Sequence, residues 1–290
     1  MIPRFELLLP ATIAEASEMS LAHGERARFL AGGTDVFVLM KDDKLSADYL
    51  IDLGGVGGLK GIDVLPDGSL SIGALTAFSE IVRDGHVKKH YPVLVDAMEH
   101  IGSKQIRNIA TVGGNICNAI PSADSSPALM VSGAKLLLTD GKNERALPLE
   151  EFFLGPRKTT MAPGELLKAV IVPGPDKNFT AAYIKFTRRR AMDLAMLGVA
   201  VSYRLNGNIC SDVRIALATA APTAIRMYEA EAFLNGNELT DENVRGAAKL
   251  AAEKARPRTS FRATEEYRRR LIERLTPRVF ETARQRLSER

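Results

Sequence analysis

The chain has 290 residues, of which 46% are hydrophobic, and it carries a formal net charge of +4. This length and apolar content allow a sizeable buried core and about two domains. The apolar run at residues 7–9 is too short for a signal peptide or a membrane span, so we expect a cytoplasmic protein with no membrane partner. The two cysteines, Cys117 and Cys210, are too few to hold a zinc ion or an iron–sulfur cluster.

Helix and strand signals alternate along the first half of the chain. Thr12 and Glu15 form a capping box that opens a helix, and Gly24 closes it. Thr76 is predicted to cap a helix that runs through Val82. Strands are predicted at 29–31, 49–53, 61–65, 70–72, 134–139 and 166–172, a further helix at 91–101, and a polar connection at 102–108.

Two segments with paired glycines stand out, 31–35 (AGGTD) and 111–115 (TVGGN). Each is predicted to be a tight turn, in which glycine permits positive φ and lets backbone N–H groups approach an anion. Taken singly, each segment is equally well explained as an ordinary turn. Together they favour a nucleotide site with a diphosphate. The glycine cluster at 54–58 is not a dinucleotide fingerprint, because Lys60 stands where a third glycine is needed, and this disfavours a Rossmann unit.

Pro173, Gly174 and Pro175 mark a boundary between a first domain, 1–174, and a second, 175–290. After the boundary, strands are predicted at 183–187, 197–205 and 212–218, and helices at 225–234 and 241–255.

The positive charge lies in the last part of the chain, where residues 254–290 contain twelve Lys or Arg and five Glu. Apolar residues recur there at helical spacing, which predicts an amphipathic helix with a solvated basic face. We expect its apolar stripe to contact a partner subunit or the chain's own core, and we expect no nucleic-acid partner because aromatic residues are not interleaved. Pro277 either kinks the helix or restarts it with Thr276 as N-cap. The stripe consists of Tyr267, Leu271, Leu275, Val279, Ala283 and Leu287.

Four motifs together resemble the FAD-binding subunits of molybdenum hydroxylases, and most of all the flavin subunits of bacterial xanthine dehydrogenases. They are 31–35, 102–108 (GSKQIRN), 111–118 (TVGGNICN) and 122–124 (SAD). The stretch 256–263 (RPRTSFRA) fits the same family, so the resemblance covers essentially the whole chain. It implies an α+β fold with a two-subdomain FAD-binding domain of the PCMH/vanillyl-alcohol-oxidase type. A smaller C-terminal α+β domain with an antiparallel sheet and helices follows.

The resemblance also implies which residues contact FAD. Leu166 is one such contact, although the alignment could instead select its equally apolar neighbour Leu167. Lys185 is another, and its alternative role is as the first residue of a solvated basic run, 185–190. If Lys185 contacts the flavin, we expect it and Arg188–Arg190 to provide positive potential at the flavin edge. The implied contacts are Arg28, Phe29, Leu30, Ala31, Gly32, Gly33, Thr34, Asp35, Ile101, Ala110, Thr111, Val112, Gly113, Gly114, Asn115, Asp124, Leu166 and Lys185.

In this family a large subunit carries the molybdenum cofactor and a small subunit carries two [2Fe–2S] clusters, so the resemblance implies that this chain passes electrons through FAD to NAD⁺. We expect neither a catalytic residue nor a metal ligand in it, since no nucleophile motif is present and the four histidines lack metal-ligand spacing. The alternatives are a self-sufficient FAD oxidase or dehydrogenase, a flavin-free assembly protein, or the flavin subunit of a carbon monoxide, nicotinate or aldehyde dehydrogenase. Thr34 and Asp35 stand where carbon monoxide dehydrogenases tend to have His-Ser, which favours purine or N-heterocycle hydroxylases.

Overall fold

The computed structural model describes residues 2–189 and 191–289. The strands are β1 (Glu6–Leu8), β2 (Ala27–Leu30), β3 (Tyr49–Asp52), β4 (Ile62–Val64), β5 (Leu70–Gly73), β6 (Lys135–Thr139), β7 (Glu144–Pro148), β8 (Phe153–Gly155), β9 (Lys158–Thr159), β10 (Leu166–Val172), β11 (Phe179–Phe186), β12 (Leu197–Asn206), β13 (Ile209–Ala218) and β14 (Ile225–Arg226). The helices are α1 (Ile13–His23), α2 (Val36–Lys41), α3 (Phe78–Ile81), α4 (Gly85–His90), α5 (Pro92–Met98), α6 (Lys104–Arg107), α7 (Val112–Cys117), α8 (Ser125–Val131), α9 (Tyr228–Leu234), α10 (Asp241–Lys254) and α11 (Glu265–Ser288).

The first layer is a three-stranded parallel sheet with the order β1-β3-β2. The predicted start of α1 is confirmed, since Thr12 Oγ1 accepts from the backbone N–H of Glu15 at 3.1 Å. Its predicted end is confirmed as well, because Gly24 adopts a φ of 54° directly after the helix. This short sheet places the end of β2, and therefore the first glycine segment, beside the second layer.

The second layer is a five-stranded antiparallel sheet with the order β4-β5-β10-β6-β7. β10 occupies the middle position, and its observed bounds match the predicted strand 166–172. Helices α3, α5, α7 and α8 contribute buried apolar residues to the core against this sheet. The mixed α+β architecture predicted from the sequence is confirmed.

The third layer is the antiparallel sheet β11-β12-β13-β14, and its two faces pack in opposite directions. Successive residues of a strand point to opposite faces. Small residues such as Ala200 and Ala216 therefore pack toward α5 and α8, whereas Val199 and Val201 pack toward the helices α9, α10 and α11. The sheet shares a core with the second layer, and the boundary after residue 174 stays a prediction.

The C-terminal helix α11 packs on this third sheet, so the chain's own core is the contact of most of its apolar stripe, one of the two predicted alternatives. Leu271, Leu275 and Val279 are buried there. The helix is continuous across Pro277, so of the two predicted alternatives the restart at Thr276 is wrong. Arg268 departs from the predicted solvated basic face, because it is only 3% exposed and donates to the backbone oxygens of Met196 and Thr219.

Three local predictions are wrong, and in the first of them a contact fifteen residues away competes with the local signal. Thr76 does not cap α3, since its hydroxyl both accepts from and donates to the backbone of Gly61, at 3.0 Å each. The polar connection at 102–108 contains the helix α6, which Ser103 caps. The first two residues of the predicted helix 225–234 form β14, which pairs with β13.

Among the described residues, no helix combines the length and the apolar character needed to cross a membrane.

Candidate functional site

A cavity of about 680 Å³ lies where the first and second layers meet the end of β11. It is within the size range of ligand pockets. Most of the predicted FAD contacts line its wall, coming from β2 and the loop after it, the segments before α6, α7 and α8, the start of α7, β10 and β11. These are Arg28, Phe29, Ala31, Gly32, Gly33, Thr34, Asp35, Ile101, Ala110, Thr111, Gly113, Gly114, Asn115, Asp124, Leu166 and Lys185.

Two predicted contacts, Leu30 and Val112, do not line the cavity. Leu30 is 7% exposed and packs into a small apolar cluster with Met40 and Leu50. Val112 is fully buried in the core of the second layer. Leu30 ends the strand before the first glycine segment and Val112 lies in the second segment, and both side chains pack into the core instead of the cavity wall. Leu166 lines the cavity, and so does its neighbour Leu167.

The first glycine segment is a loop between β2 and α2, as predicted, and Gly33 has a φ of 70°. A Cβ on Gly32 would lie 1.8 Å from the backbone oxygen of Ile109, so this glycine is required for close contact with the approach to the second segment. Within the described part of the chain, the backbone N–H groups of Gly32, Gly33, Thr34 and Asp35 have no hydrogen-bond partner. They form a set of free donors at the cavity, as an anionic ligand requires.

The second glycine segment differs from the prediction, because it is the first turn of α7 and not a tight turn. Its backbone N–H groups are already used inside the protein: Val112 donates to Thr76 O at 3.1 Å, Gly113 to Ala74 O at 2.8 Å and Gly114 to Thr111 Oγ1 at 3.1 Å. A Cβ on Gly113 would lie 2.6 Å from the Ala74 Cβ. These glycines allow α7 to pack closely on the second layer, and free N–H donors come from the first segment instead.

Asp35 faces two residues that the motif analysis did not include as contacts, Asn118 and Arg157. Burial raises the pKa of Asp35, while the hydrogen bond from Asn118 and the charge of Arg157 act in the opposite direction. Arg157 is an exposed residue in the β8–β9 hairpin with a φ of 61°, and its backbone N–H donates to Ala119 O at 3.1 Å. No sequence motif marks Arg157, because its place beside Asp35 depends on how the hairpin folds against the segment after α7.

Asp124 and Lys185 form a buried ion pair at the β11 end of the cavity. The Lys185 Nζ lies 2.8 Å from the Asp124 Oδ2, and the two side chains are 7% and 6% exposed. Lys185 also donates to the backbone oxygen of His100 at 2.9 Å. The alternative in which Lys185 begins a solvated basic run is therefore wrong. Its charge is matched by a carboxylate, so it does not act as a free cation.

Three residues that the sequence analysis missed, Met192, Asp193 and Leu194, line the edge of the cavity, and Asp193 contacts the basic run after Lys185. The backbone N–H groups of Arg188 and Arg189 both lie 3.3 Å from Asp193 Oδ2, and the Arg189 guanidinium lies 3.7 Å from the same carboxylate. Asp193 thus offsets part of the predicted positive potential. Arg190 lies outside the described residues. Met192 and Leu194 line the cavity beside Asp193, yet they are 63% and 44% exposed.

The described residues contain no group of three or more His, Cys, Asp or Glu placed to hold a metal ion. Cys117 and Cys210 are free thiols. Cys117 lines the cavity, and burial raises the pKa of its thiol to about 12, so it is not a nucleophile at neutral pH. The site offers donors, one matched ion pair and apolar walls, which suits binding of a cofactor that brings its own reactive atoms.

The similarity of this chain to known proteins covers nearly its whole length and not only the glycine segments. The family described as FAD binding domain in molybdopterin dehydrogenase matches residues 3–175, and the CO dehydrogenase flavoprotein C-terminal domain matches residues 181–283. The chain is similar to the xanthine dehydrogenase FAD-binding subunit of Escherichia coli O157:H7, with 35% identity over 274 residues that cover 94% of each chain.

A second similarity is to the carbon monoxide dehydrogenase medium chain of Hydrogenophaga pseudoflava, with 32% identity over 283 residues that cover 97% of each chain. A solved structure of carbon monoxide dehydrogenase from the same organism has a TM-score of 0.95 at 31% identity and covers 99% of each chain. The likeness therefore includes all three layers of the fold.

Proposed function

Because the chain belongs to the family of FAD-binding subunits of the molybdenum hydroxylases, which confirms the resemblance seen in its motifs, we propose that it relays electrons through FAD to NAD⁺. The observation that carries the proposal is the cavity, whose wall contains sixteen of the eighteen predicted contacts. Flavin supplies the redox chemistry when bound, and the protein's task is to bind and orient it.

The residues at the cavity fit a ligand with a diphosphate. The free N–H donors of Gly32, Gly33, Thr34 and Asp35 would hold the phosphate oxygens, as donors in a loop before a helix do in other anion sites. At the β11 end, the Asp124–Lys185 pair would meet the polar edge of the flavin, and Ile101 and Leu166 would contribute apolar contact. The arrangement suits FAD better than FMN, which has one terminal phosphate.

We propose two partner subunits, a large one with the molybdenum cofactor and a small one with [2Fe–2S] clusters. This division of labour is supported by the names of the relatives, which describe a FAD-binding subunit and a medium chain. It also agrees with the two free cysteines, which do not suffice for a cluster and are expected to stay reduced in the cytoplasm.

The substrate class that we propose is a purine, as in the xanthine dehydrogenase relative at 35% identity. Thr34 and Asp35 in the first glycine segment support it. A carbon monoxide dehydrogenase is the second candidate, because the fold superposes on that enzyme with a TM-score of 0.95. A nicotinate or aldehyde dehydrogenase subunit and a self-sufficient FAD enzyme are further outcomes that the experiment below distinguishes.

The test begins with the flavin. The purified full chain is treated with acid, and the released flavin is identified by chromatography; FAD at about one equivalent is expected. The complex that co-purifies with the chain is then analysed for molybdenum and iron and assayed with xanthine and NAD⁺. Release of FMN, or no flavin at all, contradicts the proposal at its first step. Oxidation of a purine or aldehyde by the isolated chain contradicts the relay.

The second arm of the test concerns the acceptor. Lys185→Ala in the assembled complex leaves Asp124 without its cation, so we expect slower NAD⁺ reduction while substrate still bleaches the iron–sulfur absorbance. Arg270→Ala is the matched control, since Arg270 is a surface cation paired with Glu266 on α11. A complex that reduces only quinones or oxygen overturns the NAD⁺ assignment and leaves the relay in place.

A further inference from the structure

Tyr183 on β11 lies behind the cavity wall and directs its hydroxyl at the buried carboxylate of Asp124. The Tyr183 hydroxyl donates to Asp124 Oδ1 at 2.7 Å, while the other oxygen of Asp124 accepts from Lys185 at 2.8 Å. Tyr183 and Asp124 are 4% and 5% exposed. Asp124 and Lys185 line the cavity, whereas Tyr183 stands behind them. Tyr183 therefore reaches a ligand in the cavity only through the ion pair.

Gly198 on the neighbouring strand β12 leaves the space that this hydroxyl occupies. A Cβ on Gly198 would lie 2.5 Å from the Tyr183 hydroxyl oxygen and 3.1 Å from its ring. The φ of Gly198 is not in the left-handed region, so the backbone itself does not require glycine there. The requirement comes mainly from the Tyr183 hydroxyl, while the Ala218 Cβ would lie 3.2 Å away. Any larger residue at position 198 would displace it from Asp124.

The backbone of Tyr183 is fixed from the other side. Its N–H donates to Asp96 Oδ2 at 3.2 Å, and Arg286 on α11 holds both oxygens of Asp96 at 2.7 Å. With its main chain tied to α5 and its hydroxyl tied to Asp124, the Tyr183 ring has little freedom. This geometry is that of a group that orients another, because the hydroxyl can donate to the carboxylate without rearrangement.

We propose that Tyr183, whose hydroxyl occupies the space left by Gly198, is a positioning residue that keeps Asp124 ionised against Lys185. Tyr183 thereby sets the charge that the cavity wall presents to FAD. This inference rests on the proposed function, in which FAD occupies the cavity. With the hydroxyl in place, the pair is neutral overall. Without it, the buried carboxylate binds a proton more readily and leaves the charge of Lys185 uncompensated.

The charges around Asp124 support this balance. Burial raises the pKa of Asp124, and the charge and hydrogen bond of Lys185, the hydroxyl of Tyr183 and His100 oppose that rise. Lys185 and Tyr183 contact Asp124 from β11, and His100 acts on it electrostatically from the segment after α5. Removing one of these opposing groups moves the protonation of Asp124 to higher pH. An uncompensated cation beside FAD favours its reduced, more negative form and makes the midpoint potential more positive.

The experiment uses the full chain with its bound flavin and measures the midpoint potential by dye-linked reductive titration, from about pH 9 down to about pH 6. Tyr183→Phe removes the hydroxyl and keeps the ring. Gly198→Ala keeps the hydroxyl and displaces it. Both variants are expected to retain FAD and to show a positive shift that grows as the pH falls. Tyr203→Phe is the matched control. This buried tyrosine on β12 donates to Phe280 O in the core between the third sheet and α11, so the midpoint potential of the flavin should not change in this variant.

The outcomes separate the inference from the proposed function. An unchanged potential in a folded, FAD-bound Tyr183→Phe overturns the inference and leaves the function intact. If Tyr183→Phe does not fold by circular dichroism, Gly198→Ala decides, and an unchanged potential there has the same meaning. A wild-type chain that binds no FAD overturns the proposed function, and the inference with it.

Discussion

Arg286 and Asp96, which are 190 positions apart in the sequence, form a two-point ion pair in which both terminal nitrogens of the arginine lie 2.7 Å from the two carboxylate oxygens. Arg286 also donates to the backbone oxygen of Ala181 at 2.9 Å. The pair is three-quarters buried, so solvent screens it only in part. It ties the end of α11 to α5 and to β11 at a single point.

Replacing Arg286 with Met should lower the free energy of unfolding by about 1–3 kcal/mol, because it leaves the carboxylate of Asp96 partly buried without its cation. Urea unfolding followed by circular dichroism measures the change. Arg270→Met is the control, since Arg270 and Glu266 form an exposed pair on the same helix, and a change below about 0.5 kcal/mol is expected. Equal effects of the two substitutions would contradict this account.

Gly32→Ala should open the contact between the first glycine segment and the chain before α7. The added Cβ would lie 1.8 Å from Ile109 O, a backbone atom that cannot move aside. We expect a stability loss of about 1–3 kcal/mol and a large loss of bound flavin. Gly57→Ala adds the same methyl group where nothing lies within 4 Å, and it should change neither quantity. Flavin content per protein and thermal unfolding provide the measurements; full flavin occupancy in Gly32→Ala would refute the prediction.

The two thiols should be almost inert in the folded protein. Burial raises the pKa of Cys117 to about 12 and that of Cys210 to about 11, so the reactive thiolate is scarce at about pH 8. Reaction with a thiol-specific dye should be at least about a hundred-fold slower than for a free cysteine. After unfolding in denaturant, both thiols should react at the ordinary rate. Fast labelling of either thiol in the native protein would show that it is not sequestered.

Glu165 should make stability depend on acid pH through Arg145. The hydrogen bond from Arg145, 2.6 Å from the guanidinium Nε to Oε1, lowers the pKa of Glu165 below its ordinary value of 4.5. A lowered folded-state pKa contributes stability above the unfolded-state value, and that contribution is lost as the pH falls through the folded-state value. Arg145→Gln should therefore cost about 1 kcal/mol near pH 7, discounted for exposure of the arginine, and less near pH 3.

Urea unfolding at both pH values checks this difference. Part of the loss should persist at low pH, since Arg145 also donates to Thr160 O at 2.8 Å. Arg26→Gln is the control, because Arg26 lies 3.9 Å from Asp48 in an exposed pair and should show little effect at either pH. An Arg145→Gln penalty that is the same at both pH values would mean that the ionisation of Glu165 plays no part.

Elements with strong local signals could be predicted from the sequence. The apolar residues of β10 predict both ends of this strand correctly. Thr12 caps α1, as its spacing from Glu15 indicates. Thr76 shows where such signals fail. Its hydroxyl forms hydrogen bonds with the backbone of Gly61, fifteen positions away, and therefore does not cap a helix. Arg268 fails for a similar reason: its place in a basic run predicts exposure, but carbonyl groups of distant strand ends accept its hydrogen bonds.

The candidate site could be located from its motifs but not explained by them. The sequence predicts that Gly32 lets the backbone approach an anion. In the folded chain, glycine is required at this position mainly because the Ile109 carbonyl leaves no room for a Cβ. Arg157 and Asp193 reach the cavity from a hairpin and a loop without any motif of their own. Tyr183 lies behind the wall, and its partner Gly198 is a single glycine in a strand. Such pairs become visible only when strand register is known.

The central place of β10 has a consequence for how a growing chain acquires its fold. β5 ends at Gly73 and β10 begins at Leu166, so about ninety residues are synthesised between two strands that must pair. Until β10 emerges from the ribosome, β5 and β6 each present an open inner edge that can pair with another chain. A nascent chain that stalls before Leu166 is therefore at its most prone to aggregate, and chaperone binding should be concentrated in that interval of translation.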